Sequence, residues 1–314
     1  MRALVFDGEI RVCDMPMPRP APGEALIKVL SAGICRTDIE LTHGYMNFRG
    51  ILGHEFTGIV EEAPNAGFVG KRVVGEINCV CHACHYCLLE MPHHCLNRTV
   101  LGIHNRPGVF AEYTTLPEEN LHLAPGTVRD DVLVFAEPAA AFRIPEQVPI
   151  HANDRVVVLG DGKLGQLVAQ VLWLHTKNLV CVGKHEWKLA LLQKLGIGIA
   201  HASDPIEHGA DIVIEATGSH EGLARALELV RPEGVVVLKT TTTHPTALDL
   251  SRPVINEVTI IGSRCGPFRP ALEALSMGTI EVRPMITETY ELRDGEHALR
   301  RAQSSEVLKV VLHM

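Results

Sequence analysis

No uninterrupted apolar run in the chain reaches the roughly eighteen residues that a membrane-spanning helix needs, so nothing in it is expected to cross a bilayer. A long basic block is also missing, and the formal net charge is −8 over 314 residues. Nucleic acid and anionic membrane surfaces are therefore poor candidate partners. The opening stretch "MRALVFDGEIRV" lacks the character of a signal peptide; it alternates apolar and polar residues, carries Arg2, Asp7 and Glu9, and reads as a strand. Internal repeats and low-complexity segments are absent. Cysteine is scarce outside one stretch, for five of the nine fall between residues 79 and 95. A cytoplasmic address is the default expectation, and there clustered thiols favour a metal over disulfides.

What is present fits a globular chain of about two domains, with 46% hydrophobic and 21% charged residues to build sizeable cores. Up to about residue 140, short β-like runs such as "ALIKVLSAGIC", "FTGIVEEA" and "GKRVVGEI" are broken by Gly and Pro, which suits a small barrel-like β domain. "PMPRPAPGE" (16–24) is expected to be a rigid connector between the first two strands. From about residue 153 the texture changes. Continuous Val/Ile/Leu runs ("RVVVLG", "LVCVG", "ADIVIEATG", "GVVVLK", "VTIIGS") alternate with amphipathic helices ("KLGQLVAQVLWLH", "EWKLALLQKLG", "EGLARALELVR"), the mark of a parallel sheet covered on both faces. The closing "VLKVVLHM" is a strand that could return to the first domain.

"VVVLGDGKLG" places Gly160, Gly162 and Gly165 in G-x-G-x-x-G spacing between a strand and a helix, with Lys163 and Leu164 opening that helix. Gly160 permits the tight turn, Gly162 lets the backbone approach a pyrophosphate, and Gly165 allows close helix–strand packing. The helix N-terminus adds N–H groups and partial positive charge. The next strand, "NLVCVGKHEW", ends at Gly183, where an NAD site usually carries Asp or Glu for the ribose hydroxyls. Removal of that carboxylate removes repulsion of a 2′-phosphate, and Lys184 could pair with it, so NADP(H) is favoured over NAD(H). Alternatively Lys184 is a solvated residue and Glu186 supplies the acid.

Cys81, Cys84, Cys87 and Cys95 read C-x2-C-x2-C-x7-C, short thiolate spacings that suit a closed, tetrahedral, structural zinc in a lobe spanning 77–97. Cys79 falls outside that spacing. A four-thiolate site leaves no open position, so chemistry must lie elsewhere. "GICRTD" (33–38) and "GHE" (53–55) offer Cys35, His54 and Glu55 as further ligands. "HEFTG" is not the helical H-E-x-x-H motif, because Gly58 stands where the second His belongs. Taken singly, Cys35 also reads as a small buried apolar residue, His54 as a core histidine and Glu55 as a solvated strand end.

As a set, "GICRTD", "GHE", the four-cysteine lobe, "EP" at 137, the glycine turn, "EATGS" and "GSR" resemble the zinc-dependent alcohol dehydrogenases of the medium-chain dehydrogenase/reductase superfamily, closest to the sorbitol and threonine dehydrogenase branch. The resemblance covers essentially the whole chain. It implies an α/β protein: a GroES-like β-barrel catalytic domain over 1–143, a Rossmann domain over 144–266, and a return to the catalytic domain over 267–314. It implies two zinc ions per subunit, with Cys35 and His54 as the first ligands of the catalytic one. Glu55 resembles the acid that ligates or neighbours the metal, and Glu137 sits where the remaining ligand belongs, although it also reads as a helix-start acid ahead of Pro138. Asp38 resembles the residue that fixes the tautomer of the zinc-bound histidine. Thr37 resembles the hydroxyl that takes the substrate proton; Arg36 resembles a pyrophosphate contact. Thr217, Gly218 and Arg264 fall in loops that flank the nucleotide.

Three departures stand out. Glu40 replaces the usual outer relay histidine, so a proton path would end at Glu40, at His43 or in water. The segment before "GHE" is short, as is "EEAPNAGFVGKRV", and the acidic NAD residue is absent. The expected function is hydride transfer between a secondary alcohol or polyol, or the matching ketone or aldehyde, and a nicotinamide cofactor. A homo-oligomer, dimer or tetramer, is expected from the resemblance. The rival readings are a non-catalytic dinucleotide sensor on the same scaffold and a zinc-finger-like interaction module, the latter weakened by the lack of a basic face.

Overall fold

The computed structural model describes residues 1–135, 137–241 and 248–314, and of Glu137 the backbone alone. Two compact units form, Met1–Ala136 with Leu272–Met314, and Glu137–Ala271. The sequence-derived joints at 143/144 and 266/267 both fall inside the second unit. The helix Glu137–Gln147 opens that unit and runs across the first joint. No helix among the described residues is long and apolar enough to cross a membrane.

The first unit is built around the strand Glu24–Ile34, whose "ALIKVLSAGI" buries residues on both faces. It pairs antiparallel with Phe56–Glu62, with Tyr113–Pro117 and with Lys309–His313, so the C-terminal strand joins a sheet built from the first half of the chain. Leu4, Ile27, Ile34, Leu52 and Phe110 are fully buried in the core beneath it. The return of "VLKVVLHM" to this sheet matches the sequence expectation. The N-terminal stretch differs from it. "MRALVFDGEIRV" is two strands, Arg2–Phe6 and Ile10–Asp14, paired with Phe6 opposite Ile10. Gly8 makes the turn at φ +117, a conformation strongly disfavoured for a side-chain-bearing residue. The Pro-rich stretch therefore joins the second strand to the third.

Among the described residues the second unit holds six parallel strands in the spatial order Gly198–His201, Leu179–Gly183, Val156–Leu159, Ala210–Glu215, Val230–Leu238 and Thr259–Gly262. All four residues of Val156–Leu159 are buried, as a strand covered on both faces requires. This is a doubly wound sheet. Its chain order reverses between Val156–Leu159 and Ala210–Glu215, and ligands of open α/β sheets bind outside the carboxyl ends at that point. The edge strand Gly198–His201 carries only Ile and Ala between Gly and His, too weak a pattern to read from sequence.

Candidate functional site

Strand pairing assembles the first site. Glu24–Ile34 ends just before Cys35, and its neighbour Phe56–Glu62 begins just after Glu55, with Ala32 opposite Phe56. Antiparallel register thus brings the end of one strand to the start of the other, and Gly33 N–H donates to the Glu55 carbonyl at 2.9 Å. Ligand atoms of Cys35, His54 and Glu55 all lie within 4.8 Å of one another. Cys35 caps the helix Arg36–Thr42, where the Asp38 carboxylate accepts the Cys35 N–H at 2.8 Å. Asp38 is fully buried, and its other oxygen lies 3.1 Å from His54 Nδ1. With Nδ1–H donated to a carboxylate, Nε2 is left to face Cys35 and Glu55, the arrangement of a metal-ligating histidine. Burial opposes protonation of His54, but Asp38 and Cys35 outweigh it and hold its pKa well above the usual histidine range.

Lys309 completes this cluster and was not foreseen. It starts the strand on the far side of Glu24–Ile34, is fully buried, and its ammonium pairs with Glu55 Oε2. Its Nζ also sits 4.9 Å from the centre of the Phe135 ring. Glu55 Oε1 lies on the other side, 4.0 Å from His54 Nε2. The contact between Glu55 and Lys309 crosses the intervening strand at Gly33, where a Cβ would stand 2.6 Å from Lys309 Cε and 2.8 Å from Glu55 Oε2. The signal in the sequence was a lysine inside the apolar run "VLKVVLHM".

The remaining residues named from sequence spread around this centre. Thr37 is half-buried in the first turn of the same helix. Arg36 and Glu40, one turn apart, form an ion pair at 2.7 Å, so the carboxylate suggested for a proton path is engaged by the guanidinium suggested for the pyrophosphate. His43 is exposed at the helix C-cap. The side chain of Glu137 lies outside the described residues.

The four-cysteine lobe closes on itself. Cys84 Sγ is 3.5 Å from Cys87 Sγ and 3.8 Å from Cys95 Sγ, and Cys95 Sγ is 3.5 Å from Cys81 Sγ. Four sulfurs about 2.3 Å from a tetrahedral zinc would stand about 3.8 Å apart, so the cage has the right size. Backbone N–H donation from Ala83 brings the Cys81 thiol down to about 6, while burial and neighbouring thiols push Cys87 up to about 12. A thiolate crowded by three further sulfurs is a setting for a cation.

In the second unit, Gly160 turns at φ +114 and a Cβ on Gly165 would meet the Gly160 carbonyl at 1.9 Å, while a Cβ on Gly162 would meet nothing within 4 Å. Those are the three conditions of a pyrophosphate-binding turn, and Lys163 and Leu164 begin the helix behind it. Thr217 donates through N–H and hydroxyl to the buried Glu215 carboxylate at 2.9 and 2.6 Å, and Gly218 N–H donates to the Thr240 hydroxyl at 2.9 Å. Arg264 is exposed, and its carbonyl accepts from Lys239. Lys184 is exposed at the end of its strand. The space beside Gly183 is not free. It holds the side chain of Asp161, whose Oδ2 would be 2.5 Å from a Cβ at 183.

Known proteins resemble this chain along most of its length. Residues 21–126 match the alcohol dehydrogenase GroES-like domain and residues 164–277 the zinc-binding dehydrogenase domain. A sorbitol dehydrogenase of Halalkalibacterium halodurans is 29% identical, over 99% of both chains. A zinc-binding dehydrogenase of Sinorhizobium meliloti bound to NADP superposes with a TM-score of 0.90 at 28% identity, covering 100% of this chain and 99% of that one. The alcohol dehydrogenase rspB of Escherichia coli CFT073, complexed with NADH, gives 0.91 at 26%, with the same coverage. With two family domains matched in chain order, a Cys–His–Glu centre within the first and the Gly160–Gly165 turn leading into the second, the chain belongs to the zinc-type, alcohol dehydrogenase-like enzymes of the medium-chain dehydrogenase/reductase superfamily.

Proposed function

We propose that the protein interconverts a secondary alcohol or polyol and the matching ketone or aldehyde, using a nicotinamide dinucleotide and a zinc ion held by Cys35, His54 and Glu55. The observation that carries this reading is the convergence of those three side chains at one sheet end. Three protein ligands with room for one more is the pattern of catalytic rather than structural zinc. Once bound, the metal would polarise a substrate hydroxyl or carbonyl, and the nicotinamide would take or give the hydride. The chain's own residues set the conditions for both. Asp38 holds the His54 tautomer, and Lys309 anchors one oxygen of Glu55 while the other faces His54. Thr37 is the proposed proton acceptor, with the Arg36–Glu40 pair at 2.7 Å limiting Glu40 as the onward carrier and leaving exposed His43 or water. The turn at Gly160, Gly162 and Gly165 and the helix behind it would hold the pyrophosphate, flanked by Thr217, Gly218 and Arg264.

A second zinc in the Cys81–Cys84–Cys87–Cys95 cage belongs to the same reading, in a purely structural role. A homo-oligomer does as well. Thr259–Gly262 stands at the sheet edge, and Val254 and Ile255 on the preceding helix are 74% and 76% exposed. The preference for NADP(H) rested on the missing strand-end carboxylate at Gly183 and on Lys184 as a partner for a 2′-phosphate; the Asp161 carboxylate beside Gly183 argues against it. A non-catalytic dinucleotide sensor would have no need of the Cys–His–Glu centre and its buried lysine. The test is a panel of secondary alcohols, polyols and ketones, followed through nicotinamide absorbance with both cofactors. Turnover of at least one polyol or secondary alcohol, lost in His54→Ala, is expected; turnover undiminished in His54→Ala would contradict the reading.

A further inference from the structure

The adenosine end of a dinucleotide is normally read by a carboxylate at the tip of the second strand of the sheet, which accepts from the ribose hydroxyls and repels a 2′-phosphate. Here that strand, Leu179–Gly183, ends without one. Yet the space beyond its tip is filled by a carboxylate. A Cβ at position 183 would stand 2.4 Å from Asp161 Cβ and 2.5 Å from its Oδ2, so Asp161 occupies the volume a strand-end side chain would enter. Asp161 lies between Gly160 and Gly162, on the turn that would face the pyrophosphate.

Its surroundings say which anion this site was built for. Asp161 is 7% exposed. Oδ2 accepts the backbone N–H of Lys184 at 2.8 Å and of His185 at 2.6 Å, and His185 Nδ1 is 3.1 Å from both oxygens. These two backbone donors stand at the strand tip, where the adenosine ribose of a dinucleotide is normally read, and they are already committed to an anion of the chain. A dianionic phosphate would have to displace a buried carboxylate or sit against it, and like charges in a partly desolvated place repel strongly. Lys184 offers little relief, since its side chain is exposed and an exposed pairing is weak. A ribose diol meets no such obstacle, because a carboxylate has about four acceptor positions and Oδ1 carries a single short contact.

We infer that Asp161 is the cofactor-selecting residue: the ribose-reading carboxylate has moved from the strand tip to the glycine turn, and the site takes NAD(H) in preference to NADP(H). This rests on the dinucleotide reading of the second unit. It also reverses what a bare glycine at 183 suggests, because adding an acid there would crowd Asp161 rather than supply something missing.

The test is calorimetric binding of NADH, NADPH and adenosine 2′,5′-bisphosphate to the zinc-loaded full chain, with thermal unfolding of each variant as a fold control. Wild-type protein should bind NADH more tightly than NADPH and bind the bisphosphate poorly. Asp161→Asn, which keeps the volume and loses the charge, should narrow the NADH/NADPH ratio by about tenfold or more, mainly through tighter NADPH. Gly183→Asp alone should weaken both dinucleotides, whereas Asp161→Gly with Gly183→Asp, which moves the acid back to the strand tip, should keep the NADH preference. A wild-type preference for NADPH, or an unchanged ratio in folded Asp161→Asn, overturns the assignment. Binding of neither dinucleotide would overturn the reading of the whole unit, and this inference with it.

Discussion

The residues that gather around Cys35 and His54 come from three distant parts of the chain, and their legibility differs for a physical reason. Cys35, His54 and Glu55 sit in short local patterns at the ends of recognisable strands; each alone also reads as an ordinary core or strand-end residue, and they came forward as ligands only through the resemblance of the whole motif set. Lys309 did not, because its partner Glu55 is 254 residues away and a lysine in a strand reads as a solvated face. Asp161 stayed hidden as well: between two glycines the motif specifies no residue type, and only the crowding at Gly183 draws attention to it. Lys309 is fully buried and Glu55 2% exposed, so each charge depends on the other. Lys309→Met should therefore lower stability in denaturant by about 3–5 kcal/mol, the cost of leaving a buried carboxylate alone. Adding Glu55→Gln should recover much of that loss. A single mutant as stable as wild type would show that the pair is not what holds this corner.

Among the elements, Val-rich parallel strands and amphipathic helices of the second unit were legible because both faces of the sheet are covered and the helices keep one apolar stripe. The N-terminal hairpin was not, because its turn is a single Asp7–Gly8–Glu9 step inside an otherwise continuous strand pattern. The four-cysteine lobe was fully legible from its spacing, and its sulfur–sulfur distances of 3.5 to 3.8 Å suit one zinc. Its short helix His85–Leu88 and the turn Pro92–His94 bury none of their own residues, so on the proposed reading a metal rather than a core orders it. Cys84→Ser should then release one zinc, and amide exchange should rise sharply within 77–97 while the parallel sheet stays protected. Unchanged protection in the lobe would mean that it is held by something other than the metal.

On the scale of the molecule, the two chain ends share one unit and the segment Glu137–Ala271 forms the other, so the proposed zinc ligands fall in the first and the proposed pyrophosphate turn in the second. The joints were displaced by a few residues in the sequence reading because helix Glu137–Gln147, with proline in its first turn and again at Pro145, gives no sharp composition break. The central claim is that a zinc at Cys35, His54 and Glu55 is needed for turnover, not for folding. It is tested most directly by counting zinc and measuring turnover in the same preparations of wild type and Cys35→Ser. Wild type should hold two zinc ions per chain, one for each cluster of ligands. Cys35→Ser should hold one, remain folded by circular dichroism, and lose turnover by roughly a thousandfold or more, since the metal's share of the barrier is several kcal/mol. A folded Cys35→Ser protein that keeps wild-type turnover with one zinc would contradict the account.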